Sequence, residues 1–169
     1  MKLIKPTLDP WRTVGGDDGP MVTITPRDHR LLTFMQWHSA RCAWPAALPV
    51  GVMLPNDTDI EQIADELPRL ALVALEFPKW TDGRAYSQAH LLRARYRYAG
   101  EVRAIGEVLI DMLPLLARTG FDSAVLRADQ DAAAAVRALA FFDAHYQGDV
   151  RETRPLFARG TPTTVQLDS

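Results

Sequence analysis

The sequence predicts an α/β domain: a mostly parallel sheet of four to five strands with flanking helices, doubly wound or an open partial barrel. Three observations predict it. Short apolar runs alternate with amphipathic stretches, the pattern of repeated strand–helix units. The longest apolar run, Leu70 to Leu75, is continuous, as in a strand buried on both faces. The 169 residues suit one domain with a real core, and four or five strands cannot complete an eight-stranded barrel.

Residues 1–20 read as an irregular N-terminal arm, because Asp9-Pro10 and the Gly15–Pro20 cluster break periodicity. Residues 21–147 form the domain, and the polar, proline-containing stretch 148–169 is a C-terminal tail. Within the domain, Met21 to Thr25 is expected to add an outer strand. Pro26 to Arg41 reads as a helix, with Leu31, Leu32, Phe34, Met35 and Trp37 on a broad apolar face. Strands are expected at 49–54, 71–77, 101–105 and 123–126. A helix from Thr58 to Leu67 starts at a Thr58 cap with Glu61 three residues on. Tyr86 to Tyr96 repeats apolar residues at helical spacing. Val108 to Thr119 is interrupted by Pro114 and stopped by Gly120. Asp129 to Tyr146 carries acids in its first turn and Val136, Leu139, Ala140 and Phe142 inward. In such sheets ligands bind beyond the carboxyl ends of the strands, so the loops after Phe77, Ile105 and Leu126 are the places to look.

Composition excludes several classes. One cysteine, Cys42, rules out an intramolecular disulfide, a Cys-rich zinc site and a four-thiolate cluster held by this chain alone. No Gly-x-Gly or Gly-Lys occurs, and His29, His38, His90 and His145 lack metal-ligand spacing, so neither metal nor cofactor is predicted. A net charge of −2 gives no bulk attraction to nucleic acid. The start, Met1-Lys2-Leu3-Ile4-Lys5-Pro6, lacks the apolar core of a signal peptide, and no run approaches a membrane span; a cytoplasmic protein is expected.

The loop after Phe77 concentrates chemistry. Lys79, Trp80, Thr81, Asp82, Gly83 and Arg84 lead into Tyr86 and Ser87 at a strand–loop–helix junction, where backbone N–H groups and the helix dipole favour an anion. The same residues also suit an Asp-Gly turn with Ser87 or Thr81 as a cap. From Lys79 to Arg103 the segment carries a net charge of +4, although the total is negative. Arg93 and Arg97 share a helix face there; a solvated face is the plainer reading. Arg84 and Arg103 are candidates for oxyanion or partner binding. Glu107 and Asp111, spaced i,i+4, are candidates for acid–base work with Asp82, and equally suit the acidic first turn of a helix.

Phe77 to Ser87, Leu91-Leu92-Arg93, Gly100 to Leu109, Asp111 and Gly120-Phe121-Asp122 together resemble a known family: domain of unknown function 934. These are proteobacterial proteins encoded beside the haemoprotein of assimilatory sulfite reductase and commonly described as probable oxidoreductases involved in sulfite reduction. The likeness runs from about Pro49 to Tyr146, and Asp9-Pro10-Trp11 fits the family's start. The sequence departs from the pattern at Ala85, His90, Glu107 and Thr119, where glycine, arginine, aspartate and cysteine are usual; a thiol at the last position is ruled out here.

The resemblance implies an accessory role in sulfur assimilation, assisting the sulfite reductase haemoprotein. Two alternatives stand beside it. One is a small enzyme with an oxyanion site at the strand ends. The other is a structural or oligomerising domain, in keeping with a homo-oligomer.

Overall fold

The computed structural model describes residues 1–15, 24–141, 148–150 and 152–154. Seven parallel strands form one sheet: β1 (Lys2–Leu3), β2 (Arg12–Thr13), β3 (Arg30–Thr33), β4 (Val50–Leu54), β5 (Leu70–Phe77), β6 (Glu101–Gly106) and β7 (Ser123–Ala124). Their spatial order is β1-β7-β6-β5-β4-β3-β2. The sheet is α/β as expected, with seven strands in place of four to five.

The α-helices among the described residues are α1 (Phe34–Ala40), α2 (Arg84–Ala94), α3 (Leu113–Thr119) and α4 (Ala132–Leu139). They cover one face of the sheet. Trp37, Ala85, Ala89, Leu92, Leu113, Leu116 and Ala135 pack with Leu32, Val52, Leu54, Val73, Leu75, Phe77, Val102 and Ala104 in a single core. The alternate strand residues Leu31, Leu72 and Ala74 form a second cluster with Trp11, Met53 and Ile105 on the other face. One-sided helices and a curled parallel sheet make a half-barrel, which resolves the choice left by the sequence against double winding.

The N-terminal residues join the sheet instead of forming an irregular arm. β1 pairs with β7 at one edge and β2 with β3 at the other, so residues 4–11 run as a strap between the two edges. A short 3₁₀ turn, Pro6–Leu8, lies within it. Trp11 comes close to Gly51 on β4: a Cβ there would meet Trp11 Cζ3 and Leu72 Cβ at 3.1 Å and Leu31 Cδ1 at 3.0 Å. Glycine therefore lets the strap approach the sheet.

The helix expected over 26–41 is split. Leu31 and Leu32 are both buried, but against opposite faces, which a strand allows and one helix face does not. The helix begins only at Phe34, where Thr33 and Gln36 cap each other: Gln36 N donates to Thr33 Oγ1 at 3.2 Å and Thr33 N to Gln36 Oε1 at 2.9 Å. Of the expected outer strand, residues 21–23 lie outside the described residues, and Ile24 and Thr25 are not in a strand.

Other boundaries shift for local reasons. Residues Ile60–Arg69 form a 3₁₀ helix capped by Asp59, whose Oδ1 accepts from Glu61 N at 3.0 Å, not a helix capped by Thr58. Pro114 falls in the first turn of α3, so the stretch before it is a separate 3₁₀ turn, Ile110–Met112. Gly120 ends α3 in the left-handed region with φ 110°, as expected. In α4, Asp131 caps the start and Ala135 is buried, whereas Val136 is 61% exposed; Phe142 to Tyr146 lie outside the described residues. No helix among the described residues is long and apolar enough to cross a membrane.

The amino ends of the strands are held by a clamp. Arg93 donates from Nε to the Gly120 carbonyl and from Nη1 to the Gly100 carbonyl, both at 3.0 Å, and also reaches the Tyr98 carbonyl and Asp122. Asp122 in turn accepts from Val102 N at 2.9 Å. The carboxyl ends are shaped by Gly106, whose φ is 92° and whose added Cβ would lie 2.5 Å from the Phe77 carbonyl oxygen. Glu107 N donates to that oxygen at 2.8 Å. Gly106→Ala is expected to cost about 2 kcal/mol or more, read as a lower urea midpoint with unchanged slope.

Candidate functional site

The rim at the carboxyl ends of β4 to β7 is assembled from two Arg–carboxylate groups. In the loop after β5, Asp82 N donates to the Lys79 carbonyl at 3.0 Å, closing a turn with Trp80 and Thr81 at its tip. Asp82 folds back onto the start of α2: its Oδ1 accepts from Arg84 N at 3.2 Å and Arg84 Nε at 3.0 Å, and its Oδ2 from Arg84 Nη2 at 2.7 Å. These Arg84 bonds, helped by the neighbouring Asn56, hold the Asp82 carboxyl well below its ordinary value. Gln88 on α2 donates to the Pro55 carbonyl at 2.9 Å and the Thr58 carbonyl at 2.8 Å, fixing the loop after β4 beside it.

The second group lies at the ends of β6 and β7. Arg127 grips Asp129 with a two-pronged contact, Nε and Nη2 each 2.7 Å from a carboxylate oxygen, and reaches Glu107 through Nη1 at 2.8 Å. Asp129 is lowered to about 2 by the hydrogen bonds from Arg127 and Gln130. Gln130 also accepts from Ile110 N at 3.1 Å, tying this group to the turn before α3.

The candidate residues are thus divided. Lys79, Trp80, Asp82, Arg84 and Ser87 come together at the loop after β5 and the first turn of α2. Lys79, Trp80, Arg84 and Ser87 are exposed, Trp80 to 57%. Tyr86 turns inward instead, its ring 5.1 Å from Phe77 and 6.3 Å from Phe121, and burial pushes its hydroxyl pKa up. Glu107 sits on the same rim but is paired with Arg127. Asp111 is exposed in the 3₁₀ turn, and because Glu107 precedes that turn the two carboxylates do not share a helix face.

Two arginines lie elsewhere. Arg93 is the amino-end clamp, and Arg103 points to the concave face, where its side chain is 3% exposed between Asp9 and Glu101. The +4 segment is therefore not one patch. Arg95 pairs with Glu61 at 2.7 Å, and Arg97 lies exposed in a left-handed conformation with φ 50°.

Neither Asp82 nor Asp129 is tuned for proton transfer near neutral pH, since a carboxyl held low stays ionised. Arg84 presents its Nε–Nη2 edge to Asp82, so that edge is not open to an oxyanion. Among the described residues no three His, Cys, Asp or Glu side chains gather to hold a metal. Sequence reasoning missed Asn56, Gln88, Arg127, Asp129 and Asp9; a local signal existed only for Arg127-Ala128-Asp129, the same Arg/Asp i,i+2 spacing seen in Asp82 and Arg84.

The family model described as "Bacterial protein of unknown function (DUF934)" matches residues 51–157, more than half of the chain. The chain belongs to this family. No curated protein matches it. In this DUF934 protein the matched region starts within β4 and includes the whole carboxyl rim, while the strap and its Asp9 precede it.

The Arg127 group makes a pH prediction. Asp129 has a folded pKa below its ordinary 3.8, so its stabilising contribution is present above that value and is lost as pH falls towards about 2. Carbon-detected NMR titration is expected to find Asp129 near 2, and Arg127→Ala is expected to return it towards 3.8.

Proposed function

We propose that this protein is an accessory component of bacterial assimilatory sulfite reduction that docks on the sulfite reductase haemoprotein through its carboxyl rim. The reading of the pathway rests on the family resemblance. The reading of the surface rests on one observation: Trp80, 57% exposed, stands at the tip of a turn locked by the Asp82–Arg84 fork.

An exposed tryptophan on a rigid turn is the kind of anchor that dominates protein interfaces, because it buries a large rigid surface on contact. Lys79, exposed beside it, adds a positive charge that the Asp82–Arg84 pair does not cancel, suited to an acidic group on the partner surface. Binding explains this rim better than turnover does. Asp82 is held ionised, Arg84 already spends one edge on it, and Arg103, the other candidate oxyanion ligand, lies on the concave face. The oxidoreductase description of the family would then concern the partner's reaction, which this chain assists.

Isothermal titration of the haemoprotein with the wild-type chain is expected to show association. Trp80→Ala is expected to weaken it about tenfold or more. Sulfite turnover by the haemoprotein is expected to change on adding the wild-type chain and to change less with Trp80→Ala. Absence of association together with unchanged sulfite turnover would overturn the proposal.

A further inference from the structure

The concave side of the half-barrel holds a cavity of about 470 Å³ between the strap and the sheet. The docking reading makes no use of it. Leu31, Met53, Ile105 and Val125 form its sheet wall, Trp11 faces them from the strap, and Arg103 lines it from β6. Met53, Ile105 and Val125 sit in the second halves of their strands or just beyond, so the cavity lies towards the carboxyl ends, where parallel sheets place their ligands. Its volume falls within the range of small-molecule sites. Its apolar lining is half-buried rather than packed shut: Trp11, Met53, Ile105 and Val125 all keep partial exposure.

Arg103 supplies the polar element. A guanidinium has five N–H donors. Nε is shared between Glu101 at 3.0 Å and Ser123 at 3.3 Å, one Nη1 hydrogen goes to Asp9 at 2.6 Å, and one Nη2 hydrogen to Glu101 at 2.8 Å. One N–H on each Nη therefore has no acceptor among the described residues, in a side chain 3% exposed. Buried donors ordinarily find partners. The surrounding charge decides which acceptor fits. Arg103 and Arg12 bring two positive charges and Asp9 and Glu101 two negative ones, so the site is balanced and gives an anion no net attraction, while a neutral oxygen gains hydrogen bonds without needing any.

We propose that this cavity binds a small uncharged molecule with an apolar ring or branched body and one carbonyl oxygen, which accepts from the spare N–H groups of Arg103. The apolar body lies against Trp11, Met53, Ile105 and Val125. The site is separate from the Trp80 turn, so it stands or falls independently of the docking reading.

Three probes of similar shape test it on the unaltered protein: acetophenone, which has the oxygen; ethylbenzene, which lacks it; and benzoate, which adds charge. Methyl NMR follows Leu31, Met53, Ile105 and Val125 during titration. Acetophenone is expected to give saturable shifts at these methyls, with ethylbenzene and benzoate each about tenfold weaker or more. Trp80→Ala is expected to leave acetophenone binding unchanged. Absence of saturable shifts at the four methyls would overturn the proposal. So would ethylbenzene or benzoate binding as tightly as acetophenone. Shifts at these methyls that depend on protein concentration without any probe would mean that a second copy covers the face, and would also overturn it.

Discussion

Arg103 is almost fully buried on the concave face of β6, and it joins three parts of the chain that are far apart in sequence. Its partners are Glu101 on its own strand, Ser123 on β7 and Asp9 in the strap, 94 residues away. Ser123 also donates to Glu101. Taking a guanidinium out of water is expensive unless its donors are satisfied, and removing one partner of a buried pair typically costs about 3–5 kcal/mol. The arginine therefore demands that the strap lie across the sheet. The demand is structural first: helices cover only one face, and without the strap the concave face would leave Leu31, Leu72 and Ala74 open to water.

The two ends of the half-barrel have different characters. At the amino ends, Arg93 gathers the carbonyls of Tyr98, Gly100 and Gly120 and the carboxylate of Asp122, so that β6 and β7 enter the sheet in a fixed arrangement. At the carboxyl ends the arginines are used differently. Arg84 and Arg127 each neutralise acids on the rim and lock short loops, leaving Trp80 exposed on a stiff turn. A stable lower end and a decorated upper rim are the usual division of labour in parallel β/α architectures.

How far the sequence foretold this depends on the range of each interaction. The continuous apolar run made β5 legible, and Gly120 and Pro114 marked the end and the interrupted start of α3. The strand at 30–33 was not legible, because Leu31-Leu32 followed by Phe34 and Met35 fits a helical face as well as two sides of a strand. The two-residue edge strands carry no periodicity at all, and only pairing with β7 and β3 reveals them. Within the site, Asp82 and Arg84 are two residues apart and could be read as a unit. Arg93 and Arg103 looked like members of a basic surface because their partners, the carbonyls before β6 and β7 and Asp9, are set by tertiary structure. The i,i+4 reading of Glu107 and Asp111 failed because Gly106 turns the chain before any helix begins.

The central claim is that the Asp9–Arg103 pair holds the strap over the concave face. Amide hydrogen exchange on Asp9→Asn tests it most directly, with attention to Lys2, Ile4 and Arg12, whose N–H groups bond Asp122, Ala124 and His29. The account predicts exchange at these three amides faster by about tenfold or more, with protection of β5 unchanged, as expected for a local opening. Unchanged protection at all three, or an equal loss in β5, would contradict it.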